Sequence, residues 1–264
     1  MALSDCLVVE DNAGVRTLTM HRPEAYNSLT VELKEALRDA LADTAADAAI
    51  RAVVLTGSGK AFCAGQDLKE HIGLLNAGDP APFETVRRHY SPIVQTLARM
   101  DKPVIAAVNG TAAGAGAAFA YAADLRIAAE SAKFLMAFAN VGLGPDSGAS
   151  WTLQRLVGFG KAMELMLLAK PVDAAAAAEL GLVNQVVADE EVLGTAQELA
   201  ARLAAGPTAA YAKIKQTLHG AADAELDEAL ELEAQAQAAL GRTADHAEAV
   251  DAFVAKRAAQ FTGS

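Results

Sequence analysis

The stretch that decides the fold reads Ala61-Phe62-Cys63-Ala64-Gly65-Gln66-Asp67-Leu68, and it follows an apolar run over residues 51–56. The run predicts a buried strand, and the small residues after it predict a turn that leaves backbone N–H groups pointing into a cleft. A second stretch, Asn109-Gly110-Thr111-Ala112-Ala113-Gly114-Ala115-Gly116, follows the apolar run over residues 104–108. Its apolar residues are expected to start a helix, whose first N–H groups have no partner within the helix.

These two glycine-rich turns can supply one N–H donor each to an oxyanion hole, a pair of donors that stabilises developing negative charge on a carbonyl oxygen. Losing one such donor typically costs about 3–4 kcal/mol of transition-state stabilisation. Close packing of a helix on a strand is the alternative reason for small residues, and spacing alone leaves both interpretations open. Neither turn has the lysine or glycine spacing of a phosphate-binding loop or a dinucleotide fingerprint.

Strands and helices alternate on both sides of these turns. Residues 15–20 alternate apolar and polar side chains, as in a half-buried strand. A helix then carries Leu29, Leu33, Leu37 and Leu41 at four-residue spacing, with Thr30 as its predicted N-cap. This alternation predicts an α/β core with helices packed on a parallel or mixed sheet.

The pattern changes in the second half of the chain. Residues 151–168 and 172–180 are predicted to be helical, and one short strand is predicted over 182–187. Residues 190–261 are almost entirely helical in pattern, and the acidic run 223–233 is interpreted as a solvated helix face. We therefore expect an α/β core over residues 1–200 and a helical region over residues 201–264.

Composition excludes several classes of protein. The chain has 264 residues, a net charge of −11, 53% hydrophobic residues and two cysteines. It is long enough for a large core and too apolar to be disordered as a whole. Two cysteines cannot form a disulfide framework or a four-thiolate zinc site, so we predict no metal site and a reducing compartment, the cytoplasm.

Membrane and nucleic-acid functions are also disfavoured. The longest apolar segment, residues 112–123, is shorter than the roughly 20 residues that a membrane-spanning helix needs. The N-terminal residues lack the basic and apolar stretches of a secretory signal. Binding to nucleic acid depends on neutralising phosphates, which an acidic chain does poorly.

Motifs along almost the whole chain resemble the crotonase (enoyl-CoA hydratase/isomerase) superfamily. The matching segments are His21-Arg22-Pro23 with Asn27-Ser28-Leu29, residues 61–68, residues 102–110, and Ala178-Glu179-Leu180-Gly181-Leu182-Val183. The resemblance implies a ClpP/crotonase-like ββα superhelix, an α/β fold of crossed sheets wrapped by helices. It also implies that the C-terminal helices, residues 201–264, build a homotrimer, often paired into a hexamer.

The resemblance further implies an acyl-CoA substrate, with coenzyme A entering as part of the thioester and no permanently bound cofactor. Carried over by position, the oxyanion donors are expected on Ala64 and Gly116. The residues expected to contact CoA are Ala25, Ala64, Gln66, Asp67 and Leu68, with Phe253 and Lys256 from a neighbouring subunit. Asp67 is also expected to fix its own loop by accepting hydrogen bonds from backbone N–H groups.

The two glutamates that serve typical hydratases of this superfamily are absent. Their positions correspond to Ala118 and Phe138, neither of which transfers a proton. General acid–base groups contribute about 10²- to 10⁴-fold each, so classical hydration is disfavoured. Ala118, Phe134 and Phe138 are instead expected to line an apolar acyl pocket.

The remaining acid is Asp146, in Gly142-Leu143-Gly144-Pro145-Asp146-Ser147-Gly148. From the residues alone, a turn or a helix cap is the more ordinary role. The segment 134–148 and the ending 253–263, however, resemble the ring-1,2-epoxyphenylacetyl-CoA isomerase (oxepin-CoA forming) branch of the superfamily, in the phenylacetate pathway. That resemblance implies that a single carboxylate at Asp146 shuttles a proton.

Alternative functions within the same fold are a Δ3,Δ2-enoyl-CoA isomerase and an enoyl-CoA hydratase of fatty-acid oxidation. A non-catalytic or RNA-binding relative is a more remote alternative. The roles of His71, Glu84 and His89 are left open by the sequence, with a structural or solvent-exposed role as the simpler interpretation. Cys63 is interpreted as a small buried residue.

Overall fold

The structure, a computed structural model, describes residues 5–264. Residues 1–4 belong to the segment on which the expectation of no secretory signal rests, and they lie outside the described residues. In the described part the strands are β1 (Leu7–Asn12), β2 (Val15–Met20), β3 (Ala52–Gly57), β4 (Ala61–Cys63), β5 (Val104–Val108), β6 (Thr111–Ala113), β7 (Leu125–Ala129), β8 (Lys133–Leu135), β9 (Val172–Asp173) and β10 (Gln185–Val187).

Helices follow or separate these strands, and a π-helical turn over Val86–Tyr90 leads into the third of them. The helices are α1 (Val31–Ala46), α2 (Leu68–Asn76), α3 (Ser91–Arg99), α4 (Ala115–Ala122), α5 (Ala149–Leu168), α6 (Ala174–Glu179), α7 (Val192–Ala204), α8 (Thr208–Ala221), α9 (Leu226–Leu240) and α10 (Ala244–Ala255).

A six-stranded sheet with the order β1-β2-β3-β5-β7-β10 forms the centre of the fold. β1 and β2 form an antiparallel hairpin, and the remaining neighbours in the sheet pair in parallel. Every residue of β3 and β5 is buried, as expected for parallel strands covered on both faces. This sheet supports the smaller one on which the site is built.

The smaller sheet has the order β4-β6-β8-β9, and β4, β6 and β8 run parallel. The carboxyl ends of neighbouring parallel strands lie at the same edge of a sheet. The chain segments that follow these strands, beginning at Ala64, Gly114 and Met136, therefore leave that edge side by side. Hence segments more than 20 residues apart in sequence come together in space.

The first long helix confirms the leucine pattern for three of its four residues, whereas Leu29 precedes the helix and forms a β-bridge with Gln66. Leu33, Leu37 and Leu41 are fully buried in the core beneath α1. The Thr30 hydroxyl accepts the Leu33 N–H at 3.3 Å and caps the helix, as predicted. The leucine stripe of α1 therefore anchors the helix to the sheet.

The boundary expected at residue 200 falls inside α7. Ala196 and Ala200 are fully buried where α7 packs across β2, β3, β5 and β7. Because this helix covers the central sheet, it belongs to the core. The C-terminal helical region therefore begins beyond Ala204.

Three local expectations were wrong. The apolar run after Gly110 first forms β6, and its helix begins only at Ala115. Residues 172–173 form β9 instead of starting a helix, because Val172 pairs with Phe134 of β8. The predicted helix over 151–168 is broken at Gly158, whose φ of +76° is left-handed. In the first two cases, hydrogen bonding to strands distant in sequence overrides the helical preference of the local residues.

The C-terminal helices pack less closely on the core. α8 packs against α9, and Phe253 near the end of α10 is 85% exposed. The chain ends in a non-helical tail, and the Asp245 carboxylate holds it by accepting the N–H groups of Thr262 and Gly263. Between residues 5 and 264, no helix combines the length and apolar character needed to cross a bilayer.

Truncation of Leu37 tests the α1 packing. Leu37→Ala removes a fully buried side chain, and it should lower the free energy of unfolding by about 2–5 kcal/mol. Leu75→Ala is the control, since Leu75 is about half exposed, and it should lose less than about 1 kcal/mol. Urea unfolding followed by circular dichroism measures both, and equal losses would contradict the packing described for α1.

Candidate active site

A cavity of about 150 Å³ lies at the shared edge of β4, β6 and β8. The segments after those three strands form its floor, and α2 and the chain from Phe83 to Tyr90 form its wall. The lining residues are Ala64, Gly65, Gln66, Leu68, His71, Phe83, Thr85, Val86, Tyr90, Gly114, Ala115, Ala137, Phe138, Val141, Leu143 and Asp146. Most of these side chains are apolar, as in sites that bind small molecules.

The two glycine-rich turns touch each other at Gly65. A Cβ atom at this position would lie 2.8 Å from the Ala113 carbonyl oxygen and 3.6 Å from the Ala115 nitrogen. The φ of Gly65 is +86°, a conformation that favours glycine. Only a residue without a side chain lets the first turn approach the second this closely.

In the first turn, only the Gln66 N–H is left to face the cavity. The Ala64 N–H donates to the Tyr26 carbonyl at 3.0 Å, and the Asp67 N–H donates to the Leu29 carbonyl. The Gly65 N–H bonds to the Cys63 sulfur. Gln66 forms a parallel β-bridge with Leu29, in which the Gly65 carbonyl and the Asp67 N–H on either side of Gln66 are bonded to Leu29. The N–H of Gln66 itself therefore points away from Leu29.

In the second turn the corresponding N–H is that of Ala115, the first residue of α4. The Gly114 N–H donates to the Leu135 carbonyl, and the Ala118 N–H closes the first helical turn onto Gly114. Ala115 lines the cavity, whereas a Cβ on Gly116 would lie 2.2 Å from the Cys63 carbonyl oxygen. Gly116 therefore serves close packing on β4.

The donor pair expected on Ala64 and Gly116 is thus corrected. Ala64 lines the cavity, but its N–H is engaged by Tyr26, and Gly116 lies outside the lining. The geometry instead favours the N–H groups of Gln66 and Ala115. The sequence motif identified these two turns, but it did not determine which amide in each turn lies at the cavity without a backbone partner.

Asp146 reaches the cavity from the turn before α5. Its carboxylate accepts the Ser147 hydroxyl at 2.8 Å, while its backbone carbonyl accepts the Ala149 N–H at the start of the helix. No side chain caps α5, so the cap proposed as an alternative role for Asp146 or Ser147 is absent at this helix. The Asp146 carboxylate is therefore available to a ligand.

The pKa of Asp146 is raised by burial, while the hydrogen bond from Ser147 and the positive charge of Lys34 oppose the rise. The apolar wall includes Phe138, as expected. A carboxylate in such surroundings is a stronger base than an exposed one.

The other two residues expected in the acyl pocket lie elsewhere. Phe134 is buried in the core and stacks on Tyr121 with ring centroids 5.8 Å apart. Ala118 is fully buried inside α4 and does not reach the cavity. The rotation of α4 places Ala115, one turn earlier, at the cavity instead.

The residues expected to bind CoA divide into three groups. Ala64, Gln66 and Leu68 line the cavity, and Leu68 is half exposed at its mouth. Ala25 and Asp67 lie outside the lining. The Asp67 carboxylate accepts N–H groups of Lys69 and Glu70 and bonds to Arg22 and Ser28, so it fixes its loop.

Phe253 and Lys256 form the third group. Both are exposed at the C-terminal end of α10, and neither lines the cavity of its own chain. Lys256 ends the helix with a left-handed φ of 54°.

His71, Glu84 and His89 occupy three different environments. His71 lines the cavity with its ring 5.3 Å from that of Phe83, whereas Glu84 is exposed outside the lining. His89 is buried beside the cavity, where its Nδ1 contacts the Thr85 hydroxyl at 2.9 Å. Burial raises the pKa of Cys63 to about 12, so this thiol is inert.

A buried polar cluster beside the cavity was missed by the sequence analysis. Lys34 donates to the Gln66 side-chain oxygen at 3.2 Å and to the Thr85 hydroxyl at 2.8 Å. The Tyr90 hydroxyl donates to the same Gln66 oxygen. One signal in the sequence could have identified this cluster: Lys34 lies three and seven residues before Leu37 and Leu41, on the apolar face of α1.

Within residues 5–264, no group of three or more metal-ligating side chains occurs.

Comparison with known proteins places this geometry in a family. Residues 10–264 match the family model for enoyl-CoA hydratase/isomerase. The chain is 48% identical over 252 residues to the 1,2-epoxyphenylacetyl-CoA isomerase of Escherichia coli K12, with 95% of each chain covered. It is 44% identical over 255 residues to a protein of Rhodobacter capsulatus named as a probable enoyl-CoA hydratase, with 96% of each chain covered.

The fold comparison agrees. A crystal structure of an enoyl-CoA hydratase/isomerase homologue from Mycobacterium abscessus superposes with a TM-score of 0.95 at 42% identity, covering 98% of this chain and 100% of that one. The chain belongs to the enoyl-CoA hydratase/isomerase family and has the crotonase fold. Within that superfamily, its similarity to the Escherichia coli enzyme supports the epoxyphenylacetyl-CoA isomerase branch.

The raised pKa of Asp146 predicts a pH-dependent effect on stability. A carboxyl whose pKa is raised by folding destabilises the protein as the pH rises through that pKa. Asp146→Asn should therefore unfold at a higher temperature than the wild type at neutral pH. The gain should shrink near the ordinary aspartate pKa of about 4.

Thermal unfolding followed by circular dichroism at the two pH values measures this effect. The exposed Asp43→Asn is the control, and it should show little change at either pH. A loss of stability in Asp146→Asn at neutral pH would contradict the assigned environment.

Proposed function

We propose that the protein is a cytoplasmic isomerase of acyl-CoA thioesters that converts ring-1,2-epoxyphenylacetyl-CoA to an oxepin-CoA in phenylacetate catabolism. One observation carries the proposal: Asp146 is the only carboxylate among the described residues that line the cavity. It shares that cavity with the two turns whose Gln66 and Ala115 N–H groups have no backbone partner. The similarity to the Escherichia coli isomerase supports the choice of substrate.

The two N–H groups would bind the thioester carbonyl oxygen of the substrate. As a proton next to the carbonyl is removed, negative charge moves onto that oxygen, and fixed donors stabilise it without reorganising. The first N–H of α4 also lies at the positive end of the helix dipole. Gln66 and Ala115 would therefore favour the enolate over the neutral thioester.

Asp146 would take up the proton and return it at another position. An isomerisation leaves the atoms of the substrate unchanged, so one group that accepts and returns a proton suffices. Hydration needs a base for water and an acid for carbon, and the positions of the superfamily's glutamates hold Ala118 and Phe138. The apolar surroundings of Asp146 raise its pKa and so favour its use as a base.

The alternatives differ in what they ask of Asp146. A Δ3,Δ2-enoyl-CoA isomerase would use the same carboxylate and the same donors on a different acyl group. A fatty-acid enoyl-CoA hydratase would need a second proton-transferring group, for which His71 is the candidate in the cavity. A non-catalytic or RNA-binding role would leave the carboxylate and the paired donors unused, and a net charge of −11 opposes RNA binding.

A panel of substrates with Asp146 variants tests the proposal. The purified protein should isomerise the ring-epoxide CoA thioester faster than it isomerises a 3-enoyl or hydrates a 2-enoyl CoA thioester. Asp146→Asn should lower kcat about 10²- to 10⁴-fold, since it removes the proton shuttle. Product formation is followed by chromatography with mass detection.

Glu84→Gln is the matched control, because this exposed carboxylate lies outside the cavity, and its kcat should match that of the wild type. Rapid hydration of the 2-enoyl thioester, or full isomerase turnover by Asp146→Asn, would contradict the proposal.

We further propose that the chain assembles as a homotrimer or as a hexamer of two trimers. Exposed apolar side chains on the C-terminal helices support assembly, among them Leu226 of α9 and Phe253 and Val254 of α10. Phe253 and Lys256 do not line the cavity of their own chain, and we propose that they act on that of a neighbouring chain. In this arrangement Lys256 would supply a cation to the CoA phosphates on an otherwise acidic protein.

Light scattering coupled to gel filtration tests the assembly. The native mass should be three or six times the 27.2 kDa of one chain. Phe253→Glu, which places a charge on the exposed apolar end of α10, should shift the protein toward smaller species. A monomeric wild-type protein would contradict the proposed assembly.

A further inference from the structure

Lys34 is a buried cation whose side chain the proposed reaction does not use. It is 1% exposed, on a helix whose neighbouring inward-facing residues are leucines. A buried ammonium group is costly unless its hydrogen bonds and charge are compensated. Both of its hydrogen bonds go to side chains that line the cavity, Gln66 and Thr85, although Lys34 does not itself line it.

Its ammonium group joins three polar side chains of the cavity lining. The Nζ atom donates to the Gln66 amide oxygen and to the Thr85 hydroxyl, and it lies 5.5 Å from the centre of the Tyr90 ring. Tyr90 donates to the same Gln66 oxygen. The backbone of Gln66 carries one proposed oxyanion donor, so Lys34 and Tyr90 hold the residue that presents this donor.

We propose that Lys34 is a positioning residue that ties the Gln66 turn to the Thr85–Tyr90 wall and supplies the positive charge behind Asp146. The catalytic consequence of this inference rests on the proposed function. The two hydrogen bonds of Lys34 to Gln66 and Thr85, here called the clamp, are a property of the folded chain. It joins α1, the first turn and the cavity wall through one atom. Removing it leaves the Tyr90 hydroxyl as the remaining donor to the Gln66 oxygen and takes away the bond to Thr85, so the turn is held to the wall less firmly.

The charged groups around the clamp define its electrostatic effect. The carboxylates whose charge acts on Lys34 are Glu70 and Asp67 at the start of α2, Asp146 of the cavity lining, and Glu35 on its own helix. Burial lowers the pKa of Lys34, while these four carboxylates favour its charged form.

Asp146 faces fewer groups. Lys34 is the cation near it, Ser147 donates to it, and Tyr90 and His71 share its cavity. Tyr90 is a neutral neighbour, because burial raises the pKa of its phenol. Loss of the Lys34 charge should therefore raise the pKa of Asp146 further and move the acid limb of its activity to higher pH.

Lys34→Met tests both parts of the inference, because methionine keeps the length of the side chain and removes its charge and donors. We expect kcat/KM on the CoA thioester to fall about 10- to 100-fold, as when a charge-assisted hydrogen bond is lost. The acid limb of the pH profile should shift upward. Two readouts need no turnover: carbon-detected NMR titration of the Asp146 carboxyl, and hydrogen exchange of the amides of residues 64–67 and 85–90.

Three further variants separate the roles. Lys34→Arg keeps the charge and donors and should restore most of the Asp146 titration. Thr85→Val removes one acceptor of Lys34 and the partner of His89 Nδ1, so it should speed amide exchange in residues 85–90 while leaving that titration in place. Lys170→Met removes an exposed lysine outside the cavity and should match the wild type in every readout.

The outcomes distinguish this inference from the proposed function. If no CoA thioester is turned over but Lys34→Met shifts the Asp146 titration and speeds exchange, the isomerase proposal fails and the positioning role stands. If the wild type is an isomerase and Lys34→Met keeps its rate, pH profile and exchange, the positioning role is overturned. Should Lys34→Met fail to fold, Lys34→Arg and Thr85→Val are compared by the Asp146 titration and by amide exchange. Unchanged amide exchange in residues 85–90 of Thr85→Val would then overturn the positioning role.

Discussion

The contact of Gly65 with the second turn is the constraint on which the rest of the site depends. Parallel pairing of β4 with β6 brings the two turns to one edge, and the missing side chain at Gly65 lets them touch. The fold engages the N–H groups of Ala64, Gly65 and Asp67 in the first turn and that of Gly114 in the second, and the amides of Gln66 and Ala115 are left at the cavity. The chemistry proposed for the protein depends on these two N–H groups, because they have no backbone partner.

A half-buried carboxylate and a buried ammonium group complete the site from two other elements. Asp146 enters from the turn before α5, and Lys34 enters from α1 behind the cavity wall. Each is costly to bury alone, and each offsets part of the cost of the other. The polar side chains of Gln66 and Tyr90 connect the ammonium group to the turn that carries a proposed oxyanion donor. Stability and function therefore depend on the same few hydrogen bonds.

Local sequence features predicted some parts of this molecule well. The alternation of Val15–Met20 and the leucine stripe of α1 gave the correct elements, because burial on one face imposes a period that can be read directly. The short strands β6 and β9 could not be predicted in this way. Each exists because a distant strand offers hydrogen bonds, and residues 172–173 have no strand signal of their own.

The sequence by itself determined the family and the two turns, and it drew attention to Asp146, because motifs record which residue types a backbone geometry requires. Only the tertiary structure decided which amides are available, since a hydrogen bond to Tyr26 removes Ala64 and the rotation of α4 presents Ala115 instead of Gly116. It also excluded Phe134 and Ala118 from the cavity and brought Lys34 to it. Donor availability and side-chain direction depend on contacts between distant segments, which no local pattern of residues specifies.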